Sequence, residues 1–250
     1  MPISTENTEM GLYKSPPFTL YRPESHHPVI LVCEHASCYI PPQLQQLGLD
    51  NAAAREHIAW DIGALDLALA LSERLNAPLL AAGYSRLLID LNRPLAAPDS
   101  IPEHSEVYDI PGNFQLSDTT RHYRQTQLFA PFHQCLTQMI DQRLADGQPV
   151  RIVGVHSFTP VYRGSARPWE AGVLFGHAAG YANRLIEGLR KHGVLVGANE
   201  PYRIDPMEDM TVPIHGDERG LDAVLIEIRN DQLKATQDVS TWADRLAPWL

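Results

Sequence analysis

Two histidines stand where short apolar runs of the sequence break. His35 follows the run Val29–Val32, and His156 lies at the end of the run VRIVGVH. Asp61 occurs in the stretch HIAWDIGA, whose apolar character makes an unpaired charge costly. Two neutral imidazoles and one carboxylate are a common ligand set of catalytic zinc, which keeps a water in its fourth position. These residues are therefore candidate metal ligands, and the alternative is that they are hydrogen-bonded structural groups.

A further carboxylate, Glu227, lies inside the apolar segment LIEIR. On a strand Glu227 and Arg229 share one face, because successive side chains alternate. Two interpretations stay open, a buried ion pair between these side chains and a general base beside a guanidinium. As a base, Glu227 would take a proton from an attacking water. Arg229 would then hold a substrate carboxylate, whose two oxygens match two guanidinium N–H groups.

Further polar side chains cluster beside Pro and Gly near predicted strand ends. Arg86 and Arg93 lie in YSRLLIDLNRP, and Arg163 and Arg167 lie in VYRGSARP. Surface arginines need no explanation, but as a set these four are candidates for binding an anionic small molecule. Arg93 is favoured among them, also as a catalytic group that stabilises an oxyanion. The candidate substrate contacts are Arg86, Asn92, Ser157, Arg163, Arg167 and Arg229.

Cys33, two residues before His35, suggests a different mechanism in which a thiolate is the nucleophile. A cysteine at the end of a buried strand is more often a packing residue. No second catalytic partner for the thiol is evident, and the sequence has no GxSxG, CxxC or Gly-rich phosphate-binding motif. The thiol mechanism is therefore the less favoured alternative.

Strands that alternate with helices must position these side chains. This order favours an α/β sandwich with a largely parallel or mixed central sheet. Ligands of open α/β sheets bind outside the carboxyl ends of the strands, so the polar groups at 34–35, 90–93, 156–157 and 227–229 are expected to converge on one rim. Strands are predicted at 28–35, 150–160, 170–176 and 223–231, with two short apolar runs within 78–91, and helices at 51–76, 117–146, 178–192 and from about 231 onward.

The composition is that of an ordinary globular chain, with 44% hydrophobic and 20% charged residues. No repeat or linker divides the 250 residues, so a single domain over residues 1–250 is predicted, with a loosely held arm at residues 1–25. The net charge of -10 argues against nucleic acid or an anionic membrane as a partner. Three cysteines, without a signal pattern or a bilayer-spanning apolar stretch, predict a soluble, cytoplasmic protein.

Several longer stretches of the sequence are distinctive. They are VCEHAS, HIAWDIGA, YSRLLIDLNRP, HSFTPVYRG followed by RPWEAGVLF, VGANEPY and LIEIRND, and they extend over residues 28–235. Together they resemble the N-formylglutamate amidohydrolase family, and more narrowly its branch of predicted, less characterised members. The resemblance implies a phosphorylase/hydrolase-like three-layer α/β sandwich with a mixed, mostly parallel sheet, related to zinc carboxypeptidases and zinc-dependent cell-wall amidases.

The resemblance also implies roles for individual residues. It places metal ligands at His35, Asp61 and His156 and a general base at Glu227, with Glu34 as a rival carboxylate ligand. The implied cofactor is zinc or another divalent transition metal, since cobalt, nickel or iron would also suit this donor set. The implied reaction removes the formyl group from N-formyl-L-glutamate and yields formate and glutamate.

Two alternatives stay open at this point. The first is an amidohydrolase that acts on a different N-acyl amino acid or on a small peptide-like amide. The second is a non-catalytic sensor of an acidic metabolite, which would not need the Glu227 carboxylate. The favoured function implies a small-molecule partner, an N-acyl amino acid. The sequence does not predict the oligomeric state. Residues 95–116 are expected to form a long, functional loop, and the segments within 197–220 are expected at the edge of the site; the sequence assigns neither region a role.

Overall fold

The strand that precedes His35 is buried along its whole length, as is typical of a strand covered on both faces. All five of its side chains, in Val29–Cys33, are fully buried. The computed structural model describes residues 9–250. The strands of this part of the chain are β1 Phe18–Tyr21, β2 Val29–Cys33, β3 Leu79–Ala82, β4 His104–Ser105, β5 Tyr108–Asp109, β6 Arg151–Phe158, β7 Val161–Tyr162, β8 Ser165–Ala166, β9 Ala171–Phe175, β10 Val196–Ala198 and β11 Asp222–Arg229.

Seven of these strands form one sheet in the order β1-β3-β2-β6-β11-β9-β10. The central strands β3, β2, β6 and β11 run parallel to their neighbours in that group. β1 is antiparallel to β3, β9 is antiparallel to β11, and β10 is parallel to β9. The pairs β4–β5 and β7–β8 are separate two-stranded hairpins. The mixed, mostly parallel sheet expected from the sequence is thus confirmed.

Helices cover this sheet and complete the α/β sandwich. α5 packs against both α1 and α4, and α1 and α4 each contact strands of the sheet. α3 packs beside β1, where the rings of Phe18 and Phe132 meet edge to face with centroids 6.3 Å apart. The helices are α1 Ala64–Leu75, α2 Asp118–Arg124, α3 Ala130–Ala145, α4 Ala179–Lys191 and α5 Thr236–Leu246, and a π-helical segment, Gln125–Phe129, joins α2 to α3.

The helix predicted over residues 51–76 is wrong in its first half. α1 begins only at Ala64, and Asp61 lies in the turn before it. Gly63 has a φ of +82°, and a Cβ there would come within 2.5 Å of a neighbouring side chain, so this turn requires glycine. The backbone N–H of Asp61 donates to the carbonyl of His35 at 3.0 Å. The turn is therefore tied to the end of β2.

The second apolar run within residues 78–91 is not a strand. After β3 the chain enters turns in which Leu87, Leu88 and Ile89 are nevertheless buried. The N–H of Asp90 donates to the carbonyl of Ser100 at 2.8 Å instead of to a neighbouring strand. The loop expected at 95–116 is therefore present, with the β4–β5 hairpin inside it, and it helps to place Asp90.

The loosely held arm expected at residues 1–25 needs correction from Glu9 onward, and residues 1–8 lie outside the described part of the chain. β1 is an edge strand of the main sheet. Upstream of it, the Glu9 carboxylate accepts hydrogen bonds from Nε and Nη2 of Arg124 at 2.9 and 2.6 Å. Both side chains are almost completely buried. This ion pair anchors the segment that the sequence suggested was loose.

The interior of the described residues is one cluster of apolar side chains that extends across both covering layers. Trp242 and Leu246 of α5 are buried in it, as predicted. No helix within residues 9–250 combines the length and the apolar character that crossing a membrane requires.

Loss of the buried ion pair is expected to be costly. Arg124→Gln leaves the Glu9 carboxylate buried without its cation, so we expect the free energy of unfolding to fall by roughly 3–5 kcal/mol. Arg74→Gln is the matched control, because the Arg74 ion pair with Asp244 is largely solvent-exposed; its cost should stay below about 1 kcal/mol. Denaturant unfolding of both variants measures the difference, and equal losses would contradict an anchoring role for Arg124.

Candidate active site

The carboxyl ends of neighbouring parallel strands bring the candidate side chains together. His35 follows β2, and His156 lies in β6, which pairs directly with β2. Glu227 in β11 is the register partner of His156. The two imidazole centroids are 4.9 Å apart. These residues therefore converge on one rim of the sheet, as the sequence predicted.

His35, Asp61 and His156 form a compact, buried cluster. Nδ1 of His35 and Nδ1 of His156 lie 3.3 and 2.9 Å from the same oxygen, Oδ2 of Asp61. One ligand atom from each residue lies within 4.8 Å of the other two. Tetrahedral donors at about 2.0–2.1 Å from a zinc ion are roughly 3.4 Å apart, so these separations fit a metal ion. The cluster could therefore hold a divalent cation.

Each imidazole is oriented from its far side by a second carboxylate. Nε2 of His35 is 2.7 Å from Oδ1 of Asp90, and Nε2 of His156 is 3.1 Å from Oε2 of Glu34. Nε2 of His156 and Oε2 of Glu34 have no other hydrogen-bond partner within residues 9–250. Metal-binding histidines commonly pair their outer nitrogen with a carboxylate, which fixes the tautomer. Glu34, the rival ligand, thus lies outside the three-residue cluster.

Other side chains hold these outer carboxylates in turn. Arg86 donates from Nε and Nη2 to Oδ2 of Asp90 at 2.9 and 2.6 Å. The hydroxyl of the fully buried Thr211 donates to Oε1 of Glu34. No sequence pattern points to Thr211, which lies 177 positions from its partner. Asp90 was visible only as part of a polar group after an apolar run.

Electrostatics within the cluster are strongly coupled. Burial alone would raise the pKa of Asp61, but His35 and His156 hold it well below its usual range. Burial would likewise lower the pKa of His156, whereas the charges of Glu34 and Asp61 raise it well above its ordinary value. The buried carboxylates therefore favour positive charge at the centre of the cluster. A divalent cation bound here would supply that positive charge and would release protons.

Glu227 differs from Asp61, Asp90 and Glu34 because no histidine or arginine within residues 9–250 forms an ion pair with it. It is buried, and Oε2 has no hydrogen-bond partner within the described residues. Burial raises the pKa of Glu227 to about 7; His156 opposes this rise, and the charge of Asp61 adds to it. A carboxyl group that titrates near neutrality can both accept and return a proton at physiological pH. Glu227 thus has the properties of a general base.

The contacts of Arg229 do not support the prediction that it binds substrate, and it does not line the cavity described below. Its Nε donates to Oδ1 of Asp231 at 2.8 Å, and its Nη1 lies 3.3–3.4 Å from the carbonyl oxygens of residues 167–169. These groups occupy the guanidinium at the end of β11. The alternative of an ion pair between Arg229 and Glu227 is not realised either.

A cavity of about 420 Å³ opens at this rim of the sheet. Its walls come mainly from loops and from the β4–β5 and β7–β8 hairpins, whereas the cluster comes from the strand ends. Every predicted site residue except Arg229 lines it. These residues are His35, Asp61, Arg86, Asn92, Arg93, His156, Ser157, Arg163, Arg167 and Glu227.

Arg93 and Asn92, expected to act on substrate, are occupied by other parts of the protein. Arg93 donates from Nε to Asp99 at 3.0 Å and from Nη1 to Asp209 at 3.1 Å. Asn92 donates to Asp209 at 3.3 Å, and its Oδ1 accepts the N–H of Thr211 at 3.0 Å. Both residues therefore fix the loop around residue 210. The contacts of Arg93 do not support the oxyanion role predicted for it.

Ser157 and Arg86 likewise support the cluster. The N–H of Ser157 donates to Oδ2 of Asp61 at 3.3 Å, and its hydroxyl donates to the carbonyl of Ile62 at 2.8 Å. Arg86 is committed to Asp90, and its Nη1 lies 3.5 Å from Oδ1 of Asp61. Both residues line the cavity, but their present contacts orient acids of the site.

A pair that the sequence does not signal lies at the cavity wall. Nε2 of His57 is 2.7 Å from Oε2 of Glu106, whose other oxygen accepts the N–H of Arg163 at 2.9 Å. These bonds join the segment before α1 to the turns of the β4–β5 and β7–β8 hairpins. His57 opens the stretch HIAWDIGA, but Glu106 lies in the long loop, so only the folded chain brings them together.

The thiol mechanism is not supported. Cys33 is fully buried, and this burial raises the pKa of its thiol well above the ordinary value, which disfavours a thiolate.

In the loop at 197–220, Tyr202 lines the cavity. His215 instead pairs with His133, with Nε2 and Nδ1 2.9 Å apart, and is not part of the cavity lining.

Comparison with known proteins agrees with this geometry. A family model described as N-formylglutamate amidohydrolase matches residues 27–233. No curated protein matches the chain. Most of the sequence, including every residue of the cluster, lies inside the matched range.

Solved structures show the same fold. The gene product Atu2144 from Agrobacterium tumefaciens is 37% identical, with a TM-score of 0.91 over 94% of this chain and 93% of that chain. The N-formylglutamate amidohydrolase from Ralstonia eutropha JMP134 is 18% identical, with a TM-score of 0.62 over 94% of this chain and 98% of that chain. At 18% identity, the similarity to the Ralstonia eutropha protein shows a shared fold and nothing more.

The raised pKa of Glu227 predicts a pH-dependent stability. The folded state binds this proton more tightly than the unfolded chain, since the pKa rises from 4.5 to about 7 on folding. The contribution of Glu227 is therefore fully present below about pH 4.5 and is lost as the pH rises through about 7. The loss amounts to at most ~1.4 kcal/mol per pH unit.

Glu227→Gln removes this titration. In chelator-treated protein, the free energy of unfolding of the variant minus that of the wild type should grow from pH 5 to pH 7 and then level off. Denaturant unfolding at intervals across pH 5–8 measures the difference. A constant difference over that interval would contradict the raised pKa of Glu227.

Proposed function

The chain belongs to the N-formylglutamate amidohydrolase family, and from this premise we propose that it hydrolyses an N-acyl amino acid with the help of a divalent metal ion. Family membership makes the protein an amidohydrolase. The first candidate substrate is N-formyl-L-glutamate, which would yield formate and glutamate. The observation that carries the proposal is that the buried carboxyl group of Glu227, with one oxygen unused, shares a cavity with the His–Asp–His cluster.

The proposed metal ligands are His35, Asp61 and His156. Zinc is the first candidate because two imidazoles and one carboxylate leave the open position that its catalytic sites use. When bound, such an ion lowers the pKa of a water molecule and stabilises negative charge on the amide oxygen. The outer carboxylates Glu34 and Asp90 would keep both Nδ1 atoms directed at the ion.

Proton transfer is assigned to Glu227. Its carboxylate accepts a proton from the attacking water and then donates it to the nitrogen of the leaving amine. A pKa of about 7 suits both steps, since the group is neither permanently charged nor permanently protonated near neutral pH. Its register with His156 supports this role, because the two side chains lie on neighbouring strands at the His–Asp–His cluster.

Arg86 is the guanidinium proposed to stabilise the developing oxyanion. It lines the cavity and is bonded to Asp90, with Asp61 also near, so its charge is fixed next to the cluster. Preorganised charge of this kind needs no rearrangement during the reaction. Arg86 thus replaces Arg93, whose guanidinium is held away by its own acidic partners.

The central test combines elemental analysis with a substrate panel. The panel contains the N-formyl and N-acetyl derivatives of glutamate, aspartate and neutral amino acids. We expect release of glutamate from N-formyl-L-glutamate, loss of this activity on strong chelation, and recovery on adding zinc. Glu227→Gln should bind substrate but lower kcat by about 100-fold or more, because general base catalysis is lost.

The other outcomes separate the alternatives. Full turnover in protein shown to be free of metal would rule out the metal mechanism. Cleavage of the N-acetyl derivatives alone would move the substrate to another N-acyl amino acid. Ligand binding by the wild type without hydrolysis of any amide would favour the sensor.

A second prediction concerns the outer carboxylate of His156. Glu34→Gln replaces the acceptor that fixes the His156 tautomer, so we expect the zinc affinity to fall by about 10- to 100-fold. Competition with a chromogenic chelator measures this affinity independently of turnover. Glu187→Gln is the control, because Glu187 is exposed on α4. An unchanged affinity in the Glu34 variant would contradict the orienting role.

A further inference from the structure

The guanidinium of Arg167 is held by aromatic rings. Its Cζ lies 4.6 Å from the ring centroids of both Tyr162 and Tyr202 and 5.8 Å from that of Phe158. Its one side-chain hydrogen bond within the described residues is a long one, from Nη1 to the carbonyl of Thr159 at 3.5 Å. No carboxylate of residues 9–250 lies within 4.0 Å of it. We refer to Arg167, Phe158, Tyr162 and Tyr202 as the Arg167 cradle.

Other cations of the cavity are less suited to a ligand anion. Arg86 and Arg93 are each bonded to aspartates, with which an anion would have to compete. Arg163 and Arg203 are exposed to solvent, whereas Arg167 is half-buried. Apart from that one long hydrogen bond, the N–H groups of the Arg167 guanidinium have no side-chain hydrogen-bond partner within the described residues, so they are available to two ligand oxygens. A carboxylate is the ligand that fits this fork.

The cradle lies close to the proposed base. Tyr202 and Phe158 line the same cavity as Glu227, and Phe158 lies on β6 two residues after His156, the register partner of Glu227. Gly172 is the register partner of Glu227 on β9. A Cβ at Gly172 would lie 1.9 Å from the carbonyl oxygen of Glu200, so only glycine lets this backbone approach and place Tyr202 in the cavity.

We propose that the Arg167 cradle binds a carboxylate of the amino-acid half of the substrate while the scissile amide lies at Glu227. The inference rests on the proposed function and narrows it to N-acyl amino acids whose anion reaches the cradle. A guanidinium between aromatic rings rejects a neutral carboxamide, since the amide leaves its N–H groups poorly paired. Arg167 thus takes the role that the sequence suggested for Arg229.

Arg167→Gln tests the cradle with three substrates: N-formyl-L-glutamate, N-formyl-L-glutamine and N-formyl-L-isoglutamine. One carboxamide should be a poor substrate of the wild type, and it identifies which carboxylate the cradle binds. For the diacid we expect kcat/KM of the variant to fall about 10- to 100-fold, mainly through KM. For that carboxamide the variant should match the wild type. Equal losses on all three substrates would overturn the proposal.

Calorimetry with L-glutamate on the protein as purified measures binding without turnover. Arg167→Gln should weaken binding, and Arg167→Lys should fall between, since it keeps the charge and loses the planar fork. Arg184→Gln is the matched control: Arg184 lies over the ring of Tyr181 at 5.4 Å, on α4 and outside the cavity. It should bind L-glutamate as the wild type does.

The two proposals fail in different ways. Binding of L-glutamate that depends on Arg167, without hydrolysis of any amide, would remove the proposed function and leave the cradle standing. Hydrolysis with equal L-glutamate binding by the wild type and Arg167→Gln would overturn the cradle alone. If the wild type does not bind L-glutamate, the cradle proposal is overturned as well.

Discussion

A buried carboxylate, Asp61, is the constraint on which the rest of the site depends. One of its oxygens faces two imidazole nitrogens and the N–H of Ser157. Removing the positive charge around it would leave an uncompensated anion in an apolar interior. The imidazoles in turn need acceptors at their outer nitrogens, which Asp90 and Glu34 supply. An alternation of acids and bases therefore extends outward from Asp61, and a divalent cation bound at its centre would compensate the negative charge of Asp61.

The strands of the sheet position these acids and bases, whereas loops and hairpins form the walls of the cavity around them. His35 and His156 of the cluster and the neighbouring Glu227 lie in or just after β2, β6 and β11, whose side chains are almost entirely buried. The cavity walls come from loops and two short hairpins, which tolerate change in sequence better than a packed sheet does. The position of the reacting groups is thus set by the core. Ligand selectivity is left to segments that can vary without disturbing the cluster.

This separation explains how much of the site could be predicted from the sequence. His156 and Glu227 interrupt buried apolar runs. The runs predict strands, and the polar side chains within them predict functional residues. Asp61 shows the same contrast, although the sequence predicts a helix for the glycine-dependent turn that carries it. Thr211 was not predictable, because its role depends on a contact across most of the chain. The same holds for the aromatic rings around Arg167, since each comes from a different turn or strand.

Arg229 connects β11, the strand of the proposed base, to the segment that carries Arg167. It lies two residues after Glu227 on β11, where its backbone N–H donates to the carbonyl of Glu170 at 2.9 Å. Its guanidinium lies 3.3–3.4 Å from the carbonyl oxygens of residues 167–169. The strand that carries the proposed base therefore also holds the backbone of the proposed anion-binding residue. The separation between them is then fixed by one buried element, as catalysis by positioning requires. The pattern that puts Glu227 and Arg229 on one strand is informative, and the observed contacts of Arg229 are with the backbone that carries Arg167.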